Sequence, residues 1–476
     1  MKLKAFASFI LIVAAVAVPA QQTSPTPQLY SAKSLNDLRR IQKEALASNY
    51  AYERTRYMTN NIGPRLSGSA QAARAVEYVT DEMKKLGLEV RLQELRVPHW
   101  VRGAESGELV RFPGMAPGTV QKIVLTALGG SVATPESGLT ADVVVVSSFE
   151  ELSALGAEKV RGRIVLFNNK FDTRLAESGF GLQAYGRAVQ FRGGGAIAAS
   201  RLGAAAVLVR SAGGSQNRLA HTGGTRYQAG VEPIPAAAVS NEDAELIADL
   251  ASQGQTRMRL VLTPRTLPDA ISHNVIADLK GSVRPDEVVI VSGHLDSWDL
   301  GTGALDDATG VAVSMQVPFL INKLGLRPKR TIRVIAYMNE ENGLVGGRRY
   351  AEAEAANIGN HFAAIESDLG ASHPIGFLFA GRSEAVPYFN PILEVLKSQG
   401  AGITRIETGV GADIGPLTQR GVPSFAPWFD TRTYFNYHHT AADTFDTVDP
   451  KELAEVGSVM AVLAYALANL EQPLPR

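Results

Sequence analysis

The sequence has 476 residues, more than one ordinary hydrophobic core accommodates, so we expect at least two structural units. Hydrophobic residues make up 45% and charged residues 20%, as is typical of a soluble globular protein. Basic and acidic residues both number 47, which argues against nucleic-acid partners and anionic membranes, and the absence of cysteine excludes disulfides, thiol catalysis and cysteine-based zinc sites or lipid anchors.

The N-terminus has the pattern of a secretory signal peptide. Lys2 and Lys4 precede an apolar run at 6–18, and the segment 18–20 offers small residues for cleavage. We therefore predict that residues 1–20 are removed, leaving a secreted or periplasmic bacterial protein with no stable membrane anchor.

The first part of the chain predicts helices at 34–48 and 70–86, followed by an alternating, strand-like segment at 88–92. From about 112 to 264 the sequence changes to short apolar runs separated by Gly, Ser and Thr. The glycines at 193–195 and 213–214 indicate loops or turns. We expect a separate β-rich module here.

After Asn274 strand and helix patterns alternate. Strands are predicted at 288–292, 331–338 and 362–366, and helices at 309–324, 344–355, 384–397 and 452–470. This alternation predicts an α/β fold whose sheet carries helices on both faces. Ligands of such sheets bind at the carboxyl ends of the strands.

Histidine and carboxylate side chains cluster at these strand ends and in one loop near the C-terminus. In chain order they are His294, Asp296, Asp306, Asp307, Glu340, Glu341, Asp368, His438 and His439. Imidazole and carboxylate together suit Zn²⁺, and such a set can hold two ions about 3.5–4 Å apart. In the Glu340-Glu341 pair, one glutamate can ligate while the other accepts a proton from water as general base.

Each of these motifs alone has an ordinary structural explanation. Asp306 and Asp307 could cap the helix that begins near Ala308, and the histidines could be loop residues. Their joint placement at successive strand ends favours a metal site.

Four segments carry a family resemblance: GHLDSWDLGTGALDDATG, YMNEENGLVGGRRYA, IESDLGA and HHTAADTFDTVDP. They resemble the motifs of the co-catalytic zinc aminopeptidase and glutamate carboxypeptidase superfamily, most closely its carboxypeptidase Q-like group. An earlier segment, MTNNIGPRLSGSAQAARAVEYV, also resembles that group, so the resemblance covers nearly the whole mature chain.

The resemblance implies a mixed β-sheet with helices on both faces, formed by residues 25–108 and 268–476. The segments VRGRIVLFNN, RLGAAAVLVRSAGG and IPAAAVSNEDAELIADL resemble a protease-associated domain, which implies a non-catalytic insert at 109–267 that shapes access to the site. A homodimer is implied by the resemblance alone.

The resemblance also implies two zinc ions per chain and a role for each ligand. His294 and Asp368 would hold one ion, Glu341 and His439 the other, and Asp306 would bridge them. Glu340 would be the general base.

The roles of the neighbouring residues are less uniform within the family. Asp296 would accept a hydrogen bond from His294 and fix its tautomer. His438 stands where many relatives have the tyrosine that stabilises the oxyanion, so the donor stays open among His438, Tyr437 and Tyr434.

The implied activity is hydrolysis of the peptide bond next to a free N-terminus, the substrate being a dipeptide or short peptide. Asp299, Asp307 and Glu366 are carboxylates that could hold the substrate amine, although each could instead have a structural role. The alternatives are a one-zinc acyl-transfer relative and a non-catalytic receptor-like member, but retention of five ligands and Glu340 favours the hydrolase. A substrate carboxylate could meet Arg382, Arg405 or Arg432, for each of which surface solvation is the plainer role.

Overall fold

The computed structural model describes residues 29–476, so the predicted signal peptide lies outside the described residues. In chain order the strands are β1 (Glu89–Val101), β2 (Glu105–Arg111), β3 (Gln121–Ile123), β4 (Leu125–Ala127), β5 (Leu139–Val146), β6 (Ile164–Phe167), β7 (Ala206–Arg210), β8 (Ala236–Val239), β9 (Arg257–Leu262), β10 (Arg265–Leu279), β11 (Arg284–His294), β12 (Arg330–Tyr337), β13 (His361–Glu366), β14 (Pro374–Ala380), β15 (Ile403–Ile406) and β16 (Ser424–Phe429). The α-helices are α1 (Ala32–Leu46), α2 (Tyr50–Tyr57), α3 (Ala70–Lys85), α4 (Phe149–Val160), α5 (Thr173–Glu177), α6 (Gly181–Arg201), α7 (Asn241–Gln253), α8 (Thr309–Lys323), α9 (Val345–Ala353), α10 (Asn390–Leu396), α11 (Gly415–Thr418) and α12 (Pro450–Asn469).

The main sheet has the order β1-β10-β12-β11-β13-β16-β14-β15. Strands β12, β11, β13 and β16 run parallel, whereas β1 and β10 at one side and β14 next to β16 pair antiparallel. Alternate residues of β11 face opposite sides, Val289 and Val291 into the core that includes α8 and α12, Val288 and Ile290 into the core that includes α9 and α11. The mixed sheet with helices on both faces is therefore confirmed.

Helix α12 is apolar and long enough by composition to cross a membrane, but 94% of its most apolar window is buried within the protein. It packs against α1 and α8 on one face of the main sheet. It is therefore a core helix of the α/β unit.

The middle of the chain forms a second sheet of order β3-β2-β9-β5-β6-β7-β8-β4, built from residues 105–262. No described strand of this sheet pairs with the main sheet. We call residues 105–262 the insert. Its strands β5 to β8 run parallel. One of its two apolar cores is built from insert residues, and the other also includes Leu66, Trp100 and Trp298 from outside the insert.

The insert corrects two sequence-based expectations. It contains helices α4 to α7, so it is an α/β unit rather than a purely β-rich one. The glycines at 193–195 lie inside α6 rather than in a loop. Among them Gly195 packs closely on the sheet, since a Cβ there would lie 3.0 Å from Phe167 Cε2.

The helix predicted at 384–397 is also only partly right. A 3-10 helix at Ser383–Phe389 contains Pro387, and α10 begins afterwards with proline in its first turn. Proline lacks the N–H that an α-helix interior needs, so the α-helix starts only beyond Pro387.

Candidate metal centre

The parallel register of three strands brings the predicted ligands to one edge of the main sheet. His294 at the end of β11 lies opposite Tyr337 of β12, and Ser292 lies opposite Glu366 of β13. The residues that follow β12 and β13 therefore emerge beside His294.

His294 is one half of a double cluster. Its Nε2 lies 3.2 Å from Asp306 Oδ1 and 3.2 Å from Asp368 Oδ1. His439 Nε2 lies 3.0 Å from Glu341 Oε2 and 3.1 Å from Asp306 Oδ2. Asp306 thus presents one oxygen to each half, and the ligand-type atoms of each half lie within 4.8 Å of one another.

These spacings fit divalent zinc. Two ligands at about 2.0–2.1 Å in tetrahedral geometry stand about 3.3 Å apart, close to the distances within each half. Asp306 Oδ2 is buried and accepts no well-formed hydrogen bond from the described residues, although His439 Nε2 is near it. A cation placed between Asp306 Oδ2 and His439 Nε2 would be bound by both atoms.

The electrostatics of the cluster also call for positive charge. Burial, followed by the charge of Asp306, raises the pKa of Glu341 to about 7, and burial raises the pKa of Glu340 well above its usual range. Burial opposes protonation of His294 and His439, but Asp368 and Glu341 respectively raise the pKa of each well above its usual range. The cluster without a metal would therefore hold protons where zinc would sit.

The second ring nitrogen of His294 is hydrogen-bonded to Asp296, through the backbone of that residue. Nδ1 donates to the backbone carbonyl of Asp296 at 3.0 Å, not to its carboxylate. The carboxylate instead accepts from the backbone N–H groups of Asn339, Glu340 and Glu341 at 2.7, 3.1 and 3.4 Å, and from Ser67 Oγ at 2.9 Å. Because the chain leaves β12 with a positive φ of 72° at Asn339, these N–H groups leave the sheet and need another acceptor.

The two adjacent glutamates differ in how they are held. Glu341 is oriented by the backbone N–H of Trp298, which donates to its Oε1 at 3.2 Å, while its Oε2 faces His439. The carboxylate of Glu340 has no hydrogen bond or ion pair with the residues at 29–476 and lines the adjacent cavity. This difference fits a ligand at 341 and a free base at 340.

The sequence left two explanations open for Asp306 and Asp307, metal binding and capping of the following helix, and the structure shows a different environment for each residue. Asp307 accepts from the N–H of His294 at 3.0 Å and from the N–H of Gly310 at 2.9 Å, so it caps the first turn of α8. Asp306 faces the two histidines instead. The peptide bond between the two residues is cis.

Two further residues shape the loop between His294 and Asp306. Asp443 accepts from the N–H groups of Ala304, Leu305 and Asp306 at 3.0, 2.7 and 3.2 Å. Arg65 is fully buried and donates to backbone carbonyls of the same loop, those of Leu295, Thr302 and Gly303. The sequence reasoning assigned neither residue; the position of Asp443 four residues after His439 was the available signal.

The carboxylates proposed to hold a substrate amine are engaged by the protein itself. Asp299 forms a two-pronged ion pair with Arg102 at 2.8 and 2.6 Å. Glu366 accepts from the N–H groups of residues 412–414, and Asp307 caps α8. None of the three is free for a substrate.

The arginines considered for a substrate carboxylate pair with acidic neighbours: Arg382 with Glu384, Arg405 with Glu407 and Arg432 with Asp430. This supports the surface role given as their plainer explanation.

The insert reaches the metal centre through Thr222. Its N–H donates to the carbonyl of His439 at 2.9 Å. Its own carbonyl lies 3.0 Å from Arg192 Nη1, 3.1 Å from His221 Nδ1 and 3.3 Å from His439 Nδ1. These contacts hold His439 at a φ of 61°, a left-handed conformation that is uncommon outside glycine. Sequence reasoning could not find them, because Thr222 and His439 are 217 positions apart.

His438 also contacts the insert. Its Nδ1 lies 3.1 Å from His221 Nε2, its Nε2 lies 3.5 Å from Asp306 Oδ2, and its ring stacks on His439 with centroids 3.7 Å apart. His221, like Thr222, was not identified from the sequence.

A cavity of about 260 Å³ opens beside the double cluster. Its apolar wall comes from Leu182 and Tyr185 of the insert and from Leu344, Leu369 and Phe435 of the α/β unit. A second cavity of about 630 Å³ shares Arg192, Glu340, Glu341 and Leu344 with the first. The cleft between the two units therefore passes the metal centre.

Comparison with known proteins gives a consistent result. The model of "Peptidase family M28" matches residues 274–464. Carboxypeptidase Q of Bos taurus is 39% identical over 433 residues, covering 90% of this chain and 88% of the relative. The crystal structure of a peptidase M28 precursor from Shewanella amazonensis superposes with a TM-score of 0.87 at 35% identity, covering 93% of this chain and 99% of that one. A zinc aminopeptidase from Bacillus subtilis shares the fold, with a TM-score of 0.63 at 21% identity over 89% of this chain and 98% of that one.

Proposed function

Because this chain belongs to peptidase family M28, we propose that it is an exported two-zinc exopeptidase that hydrolyses the bond next to the free N-terminus of dipeptides or short peptides. The observation that carries the zinc chemistry is the double cluster, in which Asp306 faces both His294 and His439. The unengaged carboxylate of Glu340 beside it supports hydrolysis rather than a purely structural metal site.

In this proposal His294 and Asp368 would hold one ion, Glu341 and His439 would hold the other, and Asp306 would contribute to both sites. When bound, the zinc ions supply Lewis-acid activation of a water molecule and polarise the scissile carbonyl. Glu340 accepts a proton from the attacking water as the water oxygen bonds to the carbonyl carbon. It then donates this proton to the leaving nitrogen as the C–N bond breaks. Asp296 holds Glu340 and Glu341 in register through their N–H groups.

The size of the cavity supports a short substrate. About 260 Å³ lies just below the 300–1,000 Å³ typical of pockets for drug-sized ligands, and Leu182 and Tyr185 of the insert form part of its wall. The protease-associated identity of the insert, and its role in restricting access, belong to the same proposal.

The N-terminal preference rests on charge. Since Asp299, Asp307 and Glu366 are engaged, the remaining carboxylates on the cavity wall are those of the metal centre, among them Glu340 and Asp368. A substrate ammonium would be recognised there, and N-acetylation would remove its charge.

The test compares kcat/KM of the zinc-loaded mature protein for one apolar dipeptide, its N-acetyl form and casein. We expect the free dipeptide to be cleaved at least 100-fold better than the acetylated one, since an unpaired buried polar partner costs several kcal/mol. Equal values, or efficient internal cleavage of casein, would mean that the enzyme is not an exopeptidase.

Export and assembly complete the proposal. Residues 1–20 would be removed on secretion, and N-terminal sequencing of protein recovered from the periplasm or medium should begin near Gln21. Recovery of the intact N-terminus from the cytoplasm alone would contradict export. Homodimerisation is checked by the mass measured in sedimentation equilibrium.

A further inference from the structure

Two imidazole rings, those of His221 and His438, form a chain of hydrogen bonds that runs from the carbonyl of Thr222 toward the metal centre. His221 Nδ1 lies 3.1 Å from the carbonyl of Thr222, which can only accept, so this nitrogen carries the proton. His221 Nε2 is then an acceptor, and the nitrogen 3.1 Å from it, His438 Nδ1, must be the donor. Neutral His438 therefore has no proton on Nε2.

The bare Nε2 of His438 faces the wrong way for an oxyanion donor. It points toward Asp306 Oδ2 at 3.5 Å, where it offers a lone pair rather than an N–H. Turning the ring over would break its hydrogen bond to His221, while the ring of His439, stacked 3.7 Å away, keeps it in this plane.

Two tyrosines line the same cavity, Tyr185 of the insert, which is half-buried, and Tyr434, which is buried. Of these, Tyr434 belongs to the loop that carries His438 and His439. Its side chain is buried and lines the cavity together with Asp306, Asp368 and Glu340, and its hydroxyl makes no hydrogen bond to another residue among those at 29–476. The ring is fixed in place, because a Cβ at Gly370 would lie only 2.9 Å from Tyr434 Cδ2, so the ring packs on that backbone. Tyr437, the other tyrosine in this loop, does not line this cavity.

We propose that Tyr434 donates the hydrogen bond that stabilises the oxyanion, and that His221 of the insert is a positioning residue that keeps the neighbouring His438 from that role. The inference rests on the proposed hydrolytic function. The phenol O–H would point at the carbonyl oxygen as it gains negative charge, and its proton stays on the tyrosine throughout.

The first experiment measures the tautomer without using activity. In ¹⁵N-histidine-labelled, zinc-loaded protein, the long-range ¹H–¹⁵N spectrum should show His438 protonated at Nδ1 and not at Nε2, with the signals assigned from the spectrum of His438→Gln. His221→Phe should make an Nε2–H signal of His438 appear, whereas His221→Gln, which can still accept, should not. An Nε2–H in the wild-type protein would overturn the inference.

The second experiment separates oxyanion stabilisation from substrate binding. Tyr434→Phe should lower kcat about 100-fold, the usual cost of one oxyanion donor, with KM within about threefold and zinc content unchanged. A phosphinic dipeptide analogue, which mimics the tetrahedral centre, should bind this variant about 100-fold more weakly, and the amino-acid product should bind equally well. Tyr388→Phe, which removes a half-buried hydroxyl outside the cavity, is the matched control and should change kcat less than twofold.

Different results would refute the hydrolytic function and the assignment of Tyr434 as the oxyanion donor. A zinc-loaded wild-type protein that cleaves no peptide would refute the proposed function, while the tautomer measurement would still stand. An active wild-type protein whose kcat falls with Tyr437→Phe and not with Tyr434→Phe would refute only the assignment of the donor.

Discussion

Replacing Asp296 with Asn would keep the shape of a fully buried side chain but remove half of its acceptor capacity. The carboxylate accepts four hydrogen bonds, three from the backbone of residues 339–341 and one from Ser67. An asparagine oxygen placed at Oδ1 can keep the bonds from Asn339 and Glu340. Its NH₂ group would then face the N–H of Glu341 and the hydroxyl of Ser67. The hydroxyl can turn and accept a hydrogen bond, whereas the N–H of Glu341 would lose its acceptor.

The magnitude follows from these contacts. One unpaired buried N–H costs about 1–3 kcal/mol, and two bonds that lose a charged acceptor weaken by about 1 kcal/mol each. Asp296→Asn should therefore lower the free energy of unfolding by about 3–5 kcal/mol, which for a protein of this size corresponds to a fall in Tm of roughly 3–10 °C. Because Glu340 and Glu341 follow directly on this turn, a displacement of about 1 Å would also lower kcat about 100-fold.

Thermal unfolding of the zinc-loaded protein and steady-state kinetics on one dipeptide measure both effects. Asp286→Asn makes the same chemical change at an exposed position and should leave Tm and kcat unchanged. If Asp296→Asn shifted Tm by less than 1 °C and kept kcat within threefold, the claim that this carboxylate organises the turn would be wrong.

Three further predictions concern metal, base and packing. Metal analysis should find close to two zinc ions per chain. Chelation should abolish activity reversibly and lower Tm, since the buried carboxylates lose their cations. Protein that purifies without zinc and is not activated by added zinc would contradict the metal assignment. Glu340→Gln should keep both ions and lose about 10²–10⁴-fold in kcat, whereas Glu341→Gln should instead lose zinc, and a fully active Glu340→Gln would rule out the base. Gly129→Ala would place a Cβ 1.9 Å from Trp298 Cη2 and should lower the free energy of unfolding, measured with denaturant, by about 1–3 kcal/mol. Gly193→Ala lies inside α6 with open space around it and should raise the free energy of unfolding by up to about 1 kcal/mol. Equal effects of the two substitutions would refute the packing argument.

The α/β unit could be predicted because its signals are local. The continuous apolar run of β11 indicates a strand buried on both faces, and the residue types after β11, β12 and β13 indicate metal ligands wherever those strand ends meet. The same reasoning failed for the glycines at 193–195, because small residues mark both a flexible loop and a helix pressed against a sheet.

The partners of single side chains could not be predicted. Asp299 was available for a substrate as far as the sequence showed, and only the fold brings Arg102 to it from 197 positions away. The contact of His221 with His438 spans 217 positions and joins two structural units. Such pairings depend on how the insert docks, for which no periodicity in the chain gives a signal.

The two hydrogen bonds between Thr222 and His439 couple zinc binding to the opening of the cleft, two equilibria that would otherwise be independent. Lifting the insert away from the α/β unit would break both bonds and release His439 from its left-handed conformation, so an open form would bind the zinc ion proposed at His439 more weakly. By thermodynamic reciprocity, zinc must then hold the insert closed by the same free energy. Zinc occupancy and closure of the cleft would therefore rise and fall together, so that at low zinc the protein would lose its ligand geometry and its restricted access at the same time.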